Sequence, residues 1–231
     1  MIKLENIEVF NLEGAIRGLR NPMNSWNKSD SGYGCCKSTN YVSFVLCDNC
    51  PGLCDRTDAY FHLGESDLSL MQKLYKAGHP HRKYLRQILV SMDITAPLYW
   101  WKEFDTYKVG VTRNSCSTMH KIHSKDLTLD DFSTDHLTEF SKDALSKLLD
   151  AINYYRKDFV ENKTNKDAWW QMIQLLPSSY NQRSTITCNY ENIVNMLEYR
   201  SEHKLDEWRE FCQIMLKELP HLQDITIQPT E

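Results

Sequence analysis

The feature that most constrains the fold is a run of alternating apolar residues that ends at a proline. From Ile88 to Ile94 apolar side chains recur with period two, which is typical of a strand with one buried face. Pro97 cannot continue the hydrogen-bonded ladder of a sheet. The sequence therefore predicts a strand that ends at Pro97 and a helix that starts over Leu98 to Phe104.

Amphipathic spacing predicts three further helices. The shortest has Ser66 as its N-cap and Gly78 as its C-cap. A long helix is expected to begin near Ser133 or Thr134, and another to run from Tyr190 to about Leu219. The apolar stripe of the first long helix is Leu137, Phe140, Ala144, Leu148, Ile152, Tyr155 and Phe159. Strand and helices together indicate an α/β protein.

Composition narrows the class of protein. With 231 residues and 41% apolar content, the chain can build a substantial core, and a net charge of −4 makes nucleic acid an unlikely main partner. The N-terminus lacks the apolar run of a signal peptide, and no stretch of about 18 apolar residues could cross a membrane. We expect a cytoplasmic protein with one domain over 1–231 and no membrane partner.

A cysteine-rich segment interrupts the first third of the chain, at about 21–62. In the reducing cytoplasm these cysteines are core residues, metal ligands or reactive thiols rather than disulfides. One interpretation is a zinc site, for which thiolates are suitable ligands; the other is unligated cysteines in a core or loop. The candidate ligands are Cys35, Cys36, Cys47, Cys50 and Cys54.

Arg200 is the most informative single residue, because it lies within the apolar stripe of the last predicted helix. A buried guanidinium is costly unless an anion or a carboxylate pairs with it. Arg200 is therefore either a structural partner of a neighbouring acid or a ligand-binding residue. Asn189, Asn192 and Asn195 lie within a few turns of it and could give amide contacts to a base or sugar.

The run 106–118 is dense in hydroxyl groups and carries two cations and the thiol of Cys116. Hydroxyl and backbone donors of such a loop can bind phosphate. The alternative is an ordinary polar turn, in which Cys116 is a small buried apolar residue.

These pieces resemble the flavin-dependent thymidylate synthases, whose signature is Arg-His-Arg, seven residues, then Ser. Here Thr106-Tyr107-Lys108 is followed after seven residues by Cys116. The family's flanking features also recur in order. They are Gly78-His79, Ala96-Pro97, Leu176-Pro177, Asn189, Asn195, Glu198-Tyr199-Arg200 and His203.

The resemblance implies a mixed central sheet flanked by long helices, the fold of thymidylate synthase-complementing proteins, assembled as a homotetramer. It also implies that FAD takes hydride from NADPH and that the reduced flavin, with methylenetetrahydrofolate, methylates C5 of the pyrimidine deoxynucleotide dUMP. The open alternative is a nucleotide-binding relative, stabilised by zinc, that has lost flavin chemistry. The two are distinguished by whether the protein takes up FAD.

The resemblance also implies roles for individual residues. Arg200 and Cys116 take the catalytic positions, Arg200 contacting the pyrimidine and Cys116 replacing the motif serine as a nucleophile. The implied cofactor-binding residues are His79, Lys108, Asn189, Asn195 and His203. The implied substrate-binding residues are Arg113, Asn114, Ser115, Ser117, Thr118 and Gln174.

Overall fold

A computed structural model describes residues 2–34 and 60–226. The strands are β1 (Lys3–Phe10), β2 (Gly32–Gly34), β3 (Tyr60–His62), β4 (Leu89–Pro97), β5 (Thr112–Ser115) and β6 (Asn181–Asn189). The helices are α1 (Leu12–Arg20), α2 (Glu65–Lys76), α3 (Leu98–Phe104), α4 (Thr118–Lys121), α5 (Glu139–Glu161), α6 (Lys166–Leu175), α7 (Tyr190–Arg200), α8 (Asp206–Glu218) and α9 (Leu222–Thr226). The cysteines predicted as zinc ligands, Cys35 to Cys54, lie outside the described residues.

Four strands form one sheet in the order β1-β4-β6-β5, and β2 pairs with β3 in a separate antiparallel ribbon. β5 and β6 pair antiparallel, with Thr112 opposite Thr187. β4 and β6 also run antiparallel, since Tyr190 N–H donates to the Ile88 carbonyl and Leu98 N–H donates to the Tyr180 carbonyl. This sheet with its surrounding helices confirms the α/β prediction.

The segment around Pro97 has the predicted structure. Val90, Met92 and Ile94 point into the core from β4, and α3 begins directly after Pro97. The helix buries an aromatic cluster, which comprises Trp100, Trp101, Phe104, Trp208 and Phe211. Trp100 lies at its centre, with its ring centroid 4.9 Å from that of Trp101 and 4.6 Å from that of Trp208.

Several predicted helix ends were wrong. The predicted helix from Tyr190 to Leu219 is two helices, α7 and α8, because the chain turns between Ser201 and Leu205. α5 begins at Glu139 rather than near Ser133, since Thr138 accepts the backbone N–H of Ser141 and so caps it. The predicted apolar stripe is largely confirmed on the buried face of α5, where Leu148, Ile152, Tyr155 and Phe159 pack in the core, whereas Phe140 is 84% exposed.

For α2, the predicted N-cap was wrong and the predicted C-terminal end was confirmed. Gly64, not Ser66, is its N-cap, and Ser66 accepts a hydrogen bond from Arg20 inside the first turn. Gly78 terminates it as predicted: its φ of 91° is left-handed, and its N–H donates to the Tyr75 carbonyl.

The chain divides into two compact units. Unit 1 comprises Met1–Glu8, Ser91–Cys188 and Met196–Gln213, and unit 2 comprises Val9–Val90, Asn189–Asn195 and Ile214–Glu231. In unit 1, α5 and α6 pack around an apolar core centred on Ile152 and Met172. In unit 2, Asp67 is fully buried, pairs with Arg20 at 2.7 Å and accepts hydrogen bonds from residues 29–31.

Candidate functional site

Arg200 lies at the end of α7, in unit 1, and is held by three groups. Its Nε donates to the Tyr107 hydroxyl at 2.9 Å, and its Nη1 donates to Glu103 Oε2 at 2.8 Å. The guanidinium also stacks over Trp208, 5.0 Å from the ring centroid. Its side chain is 19% exposed, and Nη2 donates to no other residue in the described parts of the chain. Arg200 is thus an ion-paired residue whose Nη2 group is still able to donate.

Glu103 connects Arg200 to two more side chains. The same oxygen, Oε2, accepts the indole N–H of Trp208 at 3.1 Å and lies 3.4 Å from Nε2 of His203. His203 Nδ1 accepts the backbone N–H of Leu205, so the neutral ring carries its proton on Nε2, toward Glu103. His203, a predicted cofactor residue, therefore belongs to the Arg200 cluster.

The guanidinium of Arg113, on β5, is fully engaged within unit 1. Its Nη1 donates to both carboxylate oxygens of Asp105 at 2.9 Å, its Nε donates to Ser184 Oγ, and its Nη2 donates to Gln182 Oε1. It stacks on the ring of Trp101 at 3.8 Å from the centroid. A substrate anion would have to displace one of these partners, so the predicted role of Arg113 in substrate binding stays a prediction.

Cys116 follows β5, and its thiol is exposed. Its backbone is fixed on both sides: its N–H donates to the Arg183 carbonyl, and its carbonyl accepts from Gln182. Burial, with the nearby charges of Cys116 and Asp131, raises the pKa of Tyr180. The alternative in which Cys116 is a small buried apolar residue is wrong, because this residue is exposed.

The other predicted substrate residues lie on β5, at the start of α4 and on α6. Asn114 and Ser115 are exposed residues of β5, opposite Thr185 and Ser184. Ser117 caps α4 by accepting the N–H of His120, and Thr118 is the first residue of that helix. Gln174 is exposed on α6.

Lys108 is exposed beside a cavity of about 250 Å³ in unit 1. The cavity is lined by Phe104, Asp105, Tyr107, Lys108, Val111 and Arg113. The lining thus includes the aromatic ring of Phe104, together with Asp105, which pairs with Arg113, and Tyr107, which accepts a hydrogen bond from Arg200. A cavity at the start of the 106–118 run agrees with a ligand-facing role for this segment.

Two predicted cofactor residues, His79 and Asn195, contact the ion pair of Arg82 and Glu191 in unit 2. Glu191 Oε1 accepts from Arg82 Nε at 3.0 Å and lies 3.4 Å from His79 Nε2. Arg82 Nη2 contacts Asn195 Oδ1 at 3.5 Å. Glu191 is 4% exposed, yet its second oxygen, Oε2, has no hydrogen-bond partner among residues 2–34 and 60–226. His79 therefore contacts the carboxylate through Oε1, and Asn195 contacts it only by way of Arg82.

Asn189 has a structural partner at the start of α7. Its Oδ1 accepts the N–H of Asn192, and Asn192 Oδ1 accepts the N–H of Asn189. Both residues are 9% exposed. This reciprocal pair satisfies two backbone donors at the helix N-terminus, as a capping box does.

Glu103, Arg82 and Glu191 were missed as functional candidates. A signal existed for Glu191, because it is four residues before Asn195 and so shares its helix face. The contact of Glu103 with Arg200 spans 97 positions of sequence, and no local pattern predicts such a contact.

Metal and membrane features are absent from the part of the chain that the structure covers. Within residues 2–34 and 60–226 no group of three or more metal-binding side chains is close enough to hold an ion. In the same ranges no helix is both long and apolar enough to cross a membrane.

The fold resembles solved structures over nearly the whole chain. Thymidylate synthase X of Helicobacter pylori, crystallised with FAD and dUMP, aligns with 98% of this chain and 98% of its own, at 15% identity and a TM-score of 0.64. A second structure, the flavin-dependent thymidylate synthase ThyX of Helicobacter pylori complexed with FAD and dUMP, covers 96% of this chain and 98% of its own, at 15% identity and a TM-score of 0.60.

The chain has the fold of ThyX. This confirms the predicted fold, which the signature residues had suggested. No family model and no curated protein matches the sequence. At 15% identity the likeness establishes the ThyX fold alone, since one fold can support different functions.

Proposed function

We propose that this protein is a divergent flavin-dependent thymidylate synthase, which transfers a one-carbon unit to C5 of dUMP with FAD, NADPH and methylenetetrahydrofolate. The observation that carries the proposal is the fold likeness over 98% of both chains to an enzyme solved with FAD and dUMP. The same proposal includes a homotetramer, which native mass spectrometry tests.

The residues of unit 2 fit a flavin. A buried acceptor without a donor is costly, and Glu191 Oε2 is such an acceptor within the described residues, while His79 contacts the other oxygen of the same carboxylate. An isoalloxazine ring carries an N–H that could satisfy it. Bound FAD would supply hydride transfer, while His79, Asn189 and Asn195 would hold and orient it. In unit 1, Lys108 and His203 are the proposed cofactor residues.

Unit 1 supplies groups suited to a pyrimidine nucleotide. The free Nη2 of Arg200 can donate to a ring carbonyl, while Glu103 and Tyr107 fix the orientation of the guanidinium. The exposed thiol of Cys116 is the proposed nucleophile. Arg113, Asn114, Ser115, Ser117, Thr118 and Gln174 remain the proposed substrate residues.

The test begins with the absorption spectrum of the purified protein before and after addition of FAD. We expect the spectrum of oxidised flavin to remain with the protein after gel filtration, and NADPH oxidation to depend on dUMP. A matched variant, Cys116→Ser, should bind FAD as the wild type does but turn over dUMP more slowly.

A colourless protein that takes up no FAD and oxidises no NADPH in the presence of dUMP would overturn the proposal. If such a protein still bound dUMP in calorimetry, the alternative of a nucleotide-binding module without flavin chemistry would stand instead.

A further inference from the structure

Helix α5 carries large aromatic side chains on a face that is turned away from the core of unit 1. Phe140 is 84% exposed and Tyr154 is 69% exposed, whereas the opposite face of the helix is buried through Leu149 and Ile152. Exposed aromatic side chains that recur along one rigid helix are typical of an interaction surface. This face of α5 has no part in the proposed reaction.

The exposed face has the spacing by which one helix packs along another. Its stripe, with steps of four and three residues, comprises Phe140, Ala144, Lys147, Ala151 and Tyr154. The Cα atoms of Phe140 and Tyr154 lie about 21 Å apart along the axis, at a rise of about 1.5 Å per residue. Small alanines thus alternate with large side chains over several turns, which gives the stripe both knobs and holes.

The stripe complements itself when two copies of α5 pack antiparallel about a two-fold axis at the level of Leu149. In that register Tyr154 lies opposite Ala144 of the second copy, and Lys147 lies opposite Ala151 of the second copy. Each large side chain therefore meets a small one. The two-fold axis makes every such contact twice.

The charges beside the stripe also match in this register. Lys147 lies level with Asp150 of the second copy, and Asp143 lies within one helical turn of Lys157 of the second copy. All four residues are exposed, and none makes an ion pair within residues 2–34 and 60–226. On its own helix Lys147 precedes Asp150, which is the less favourable order for a helical ion pair. These charges are thus available to another molecule.

We propose that two copies of this chain associate through α5, with the helices antiparallel and with Lys147 paired to Asp150 across the interface. An unrelated partner would need its own matching pattern of size and charge, whereas a second copy always supplies it. The inference rests on α5 alone and does not depend on the proposed reaction. In a homotetramer with two-fold symmetry, this pairing would be one of the kinds of contact between subunits.

Charge reversal on the full-length protein tests the proposal. Lys147→Glu and Asp150→Lys each place like charges opposite one another across the interface. Each should raise the dissociation constant roughly 10- to 100-fold and split the wild-type assembly into halves in sedimentation velocity and native mass spectrometry. Lys73→Glu is the matched control, because it makes the same change of charge on an exposed residue of α2. It should leave the assembly intact.

A mixture of the two single variants separates contact between copies from an effect within one helix. In an equal mixture, Glu at 147 of one chain faces Asp150→Lys of the other, and the native Lys147 of the second chain faces the native Asp150 of the first. The mixture should therefore recover the wild-type assembly, although neither variant assembles alone. Tyr154→Ala should also weaken association roughly tenfold, with an unchanged free energy of unfolding for the separated chain, because the ring is exposed in it.

A wild-type protein that stays monomeric at micromolar concentrations would overturn the inference, as would reversal variants that assemble like the wild type or a mixture that stays dissociated. The proposed function fails separately. Turnover of dUMP with unaltered assembly of both variants refutes the α5 pairing alone. Recovery of assembly in the mixture by a protein that takes up no FAD refutes the enzyme and keeps the pairing.

Discussion

Arg200 has the first of the two roles that its position in an apolar stripe allowed, that of a structural partner of a neighbouring acid. Its Nε and Nη1 are used by Tyr107 and Glu103, and its stem and plane lie against Trp208. Within the described residues no hydrogen bond involves Nη2, and its role as a ligand contact belongs to the proposed function. A guanidinium has five N–H donors in a rigid fork, so a structural ion pair and a ligand contact are compatible in the same side chain.

Replacing Arg200 with Ala is expected to weaken dUMP binding by about 2–3 kcal/mol and to lower the free energy of unfolding by about 1–2 kcal/mol. The larger effect on binding follows if Nη2 donates to the nucleotide in a desolvated site. Calorimetry and urea unfolding measure the two quantities.

The matched control is Arg156→Ala, which removes an arginine paired with Asp126 in the same unit. It should leave dUMP binding unchanged. A large loss of stability in Arg200→Ala with unaltered binding would return Arg200 to a structural role alone.

Asp93, on β4, should make stability depend on pH in the acid range. Hydrogen bonds from Thr185, Arg183 and Asn6 lower its pKa from 3.8 to about 2. The folded state thus binds this proton less readily than the unfolded state, so the stabilisation is present above pH 4 and is lost as pH falls toward about 2.

Urea unfolding between pH 5 and pH 2 measures this effect (roughly the range over which such a group titrates). Asp93→Asn should flatten the decline of stability with falling pH, and Thr185→Val should raise the pKa of Asp93 toward its ordinary value. An unchanged slope in Asp93→Asn would show that the three hydrogen bonds do not lower the pKa.

At the scale of elements, the structure near Pro97 was predictable because its signals are local. Period-two burial fixes β4, and the proline fixes both its end and the start of α3. β6 went unpredicted because Gln182 and Ser184 occupy two of its buried positions, which hides the alternation of apolar residues. The indole N–H of Trp101 donates to the Gln182 carbonyl, and Arg113 donates to the side chains of Ser184 and Gln182. These partners come from distant parts of the chain.

The break between α7 and α8 shows the same limit. Neither glycine nor proline marks residues 201–205, so the apolar spacing continues through the turn. Asp206 and Glu207 in the first turn of α8 were the available signal, because acidic residues favour a helix N-terminus. The sequence and the resemblance proposed Arg200, His79 and Asn195 as candidates, but they could not supply Glu103 or Arg82 as their partners.

Gly78 allows a prediction about the end of α2. Its φ is 91°, and a Cβ there would meet no atom within 4 Å, so substitution costs backbone strain rather than a clash. Gly78→Ala should lower the free energy of unfolding by about 1–2 kcal/mol, and Gly78→Asn by less, since asparagine tolerates left-handed backbone. Equal stabilities of the Ala and Asn variants in urea unfolding would contradict this reason.

At the scale of the whole molecule, fold and chemistry are separable. A likeness over 98% of two chains persists at 15% identity, because a fold requires a pattern of burial that many sequences satisfy. Catalysis depends instead on individual groups, and here Thr106-Tyr107-Lys108 replaces the Arg-His-Arg of the family signature. The fold was therefore easier to predict than the reaction.

Among the described cysteines, exposed thiols should be alkylated faster than buried ones. Burial raises the pKa of Cys188 to about 12 and that of Cys212 to about 11, so both stay protonated near neutral pH and are shielded from reagents. Cys116 is exposed. Brief alkylation of the native protein with iodoacetamide, followed by peptide mapping, should modify Cys116 and spare Cys188 and Cys212.

Denatured protein provides the control, because all three thiols should then react. Modification of Cys188 or Cys212 at the rate of Cys116 in the native protein would mean that unit 1 opens on the timescale of the reagent.

The aromatic cluster around Trp100 also gives unit 1 an optical signature. Indole rings whose centroids lie 4.6 and 4.9 Å apart at fixed angles are close enough for their electronic transitions to couple, and the chiral arrangement makes that coupling visible as near-ultraviolet circular dichroism. The signal requires fixed tertiary packing and vanishes when side chains become mobile. Near-ultraviolet circular dichroism can therefore monitor the tertiary packing of unit 1, without any label, in experiments on folding or ligand binding.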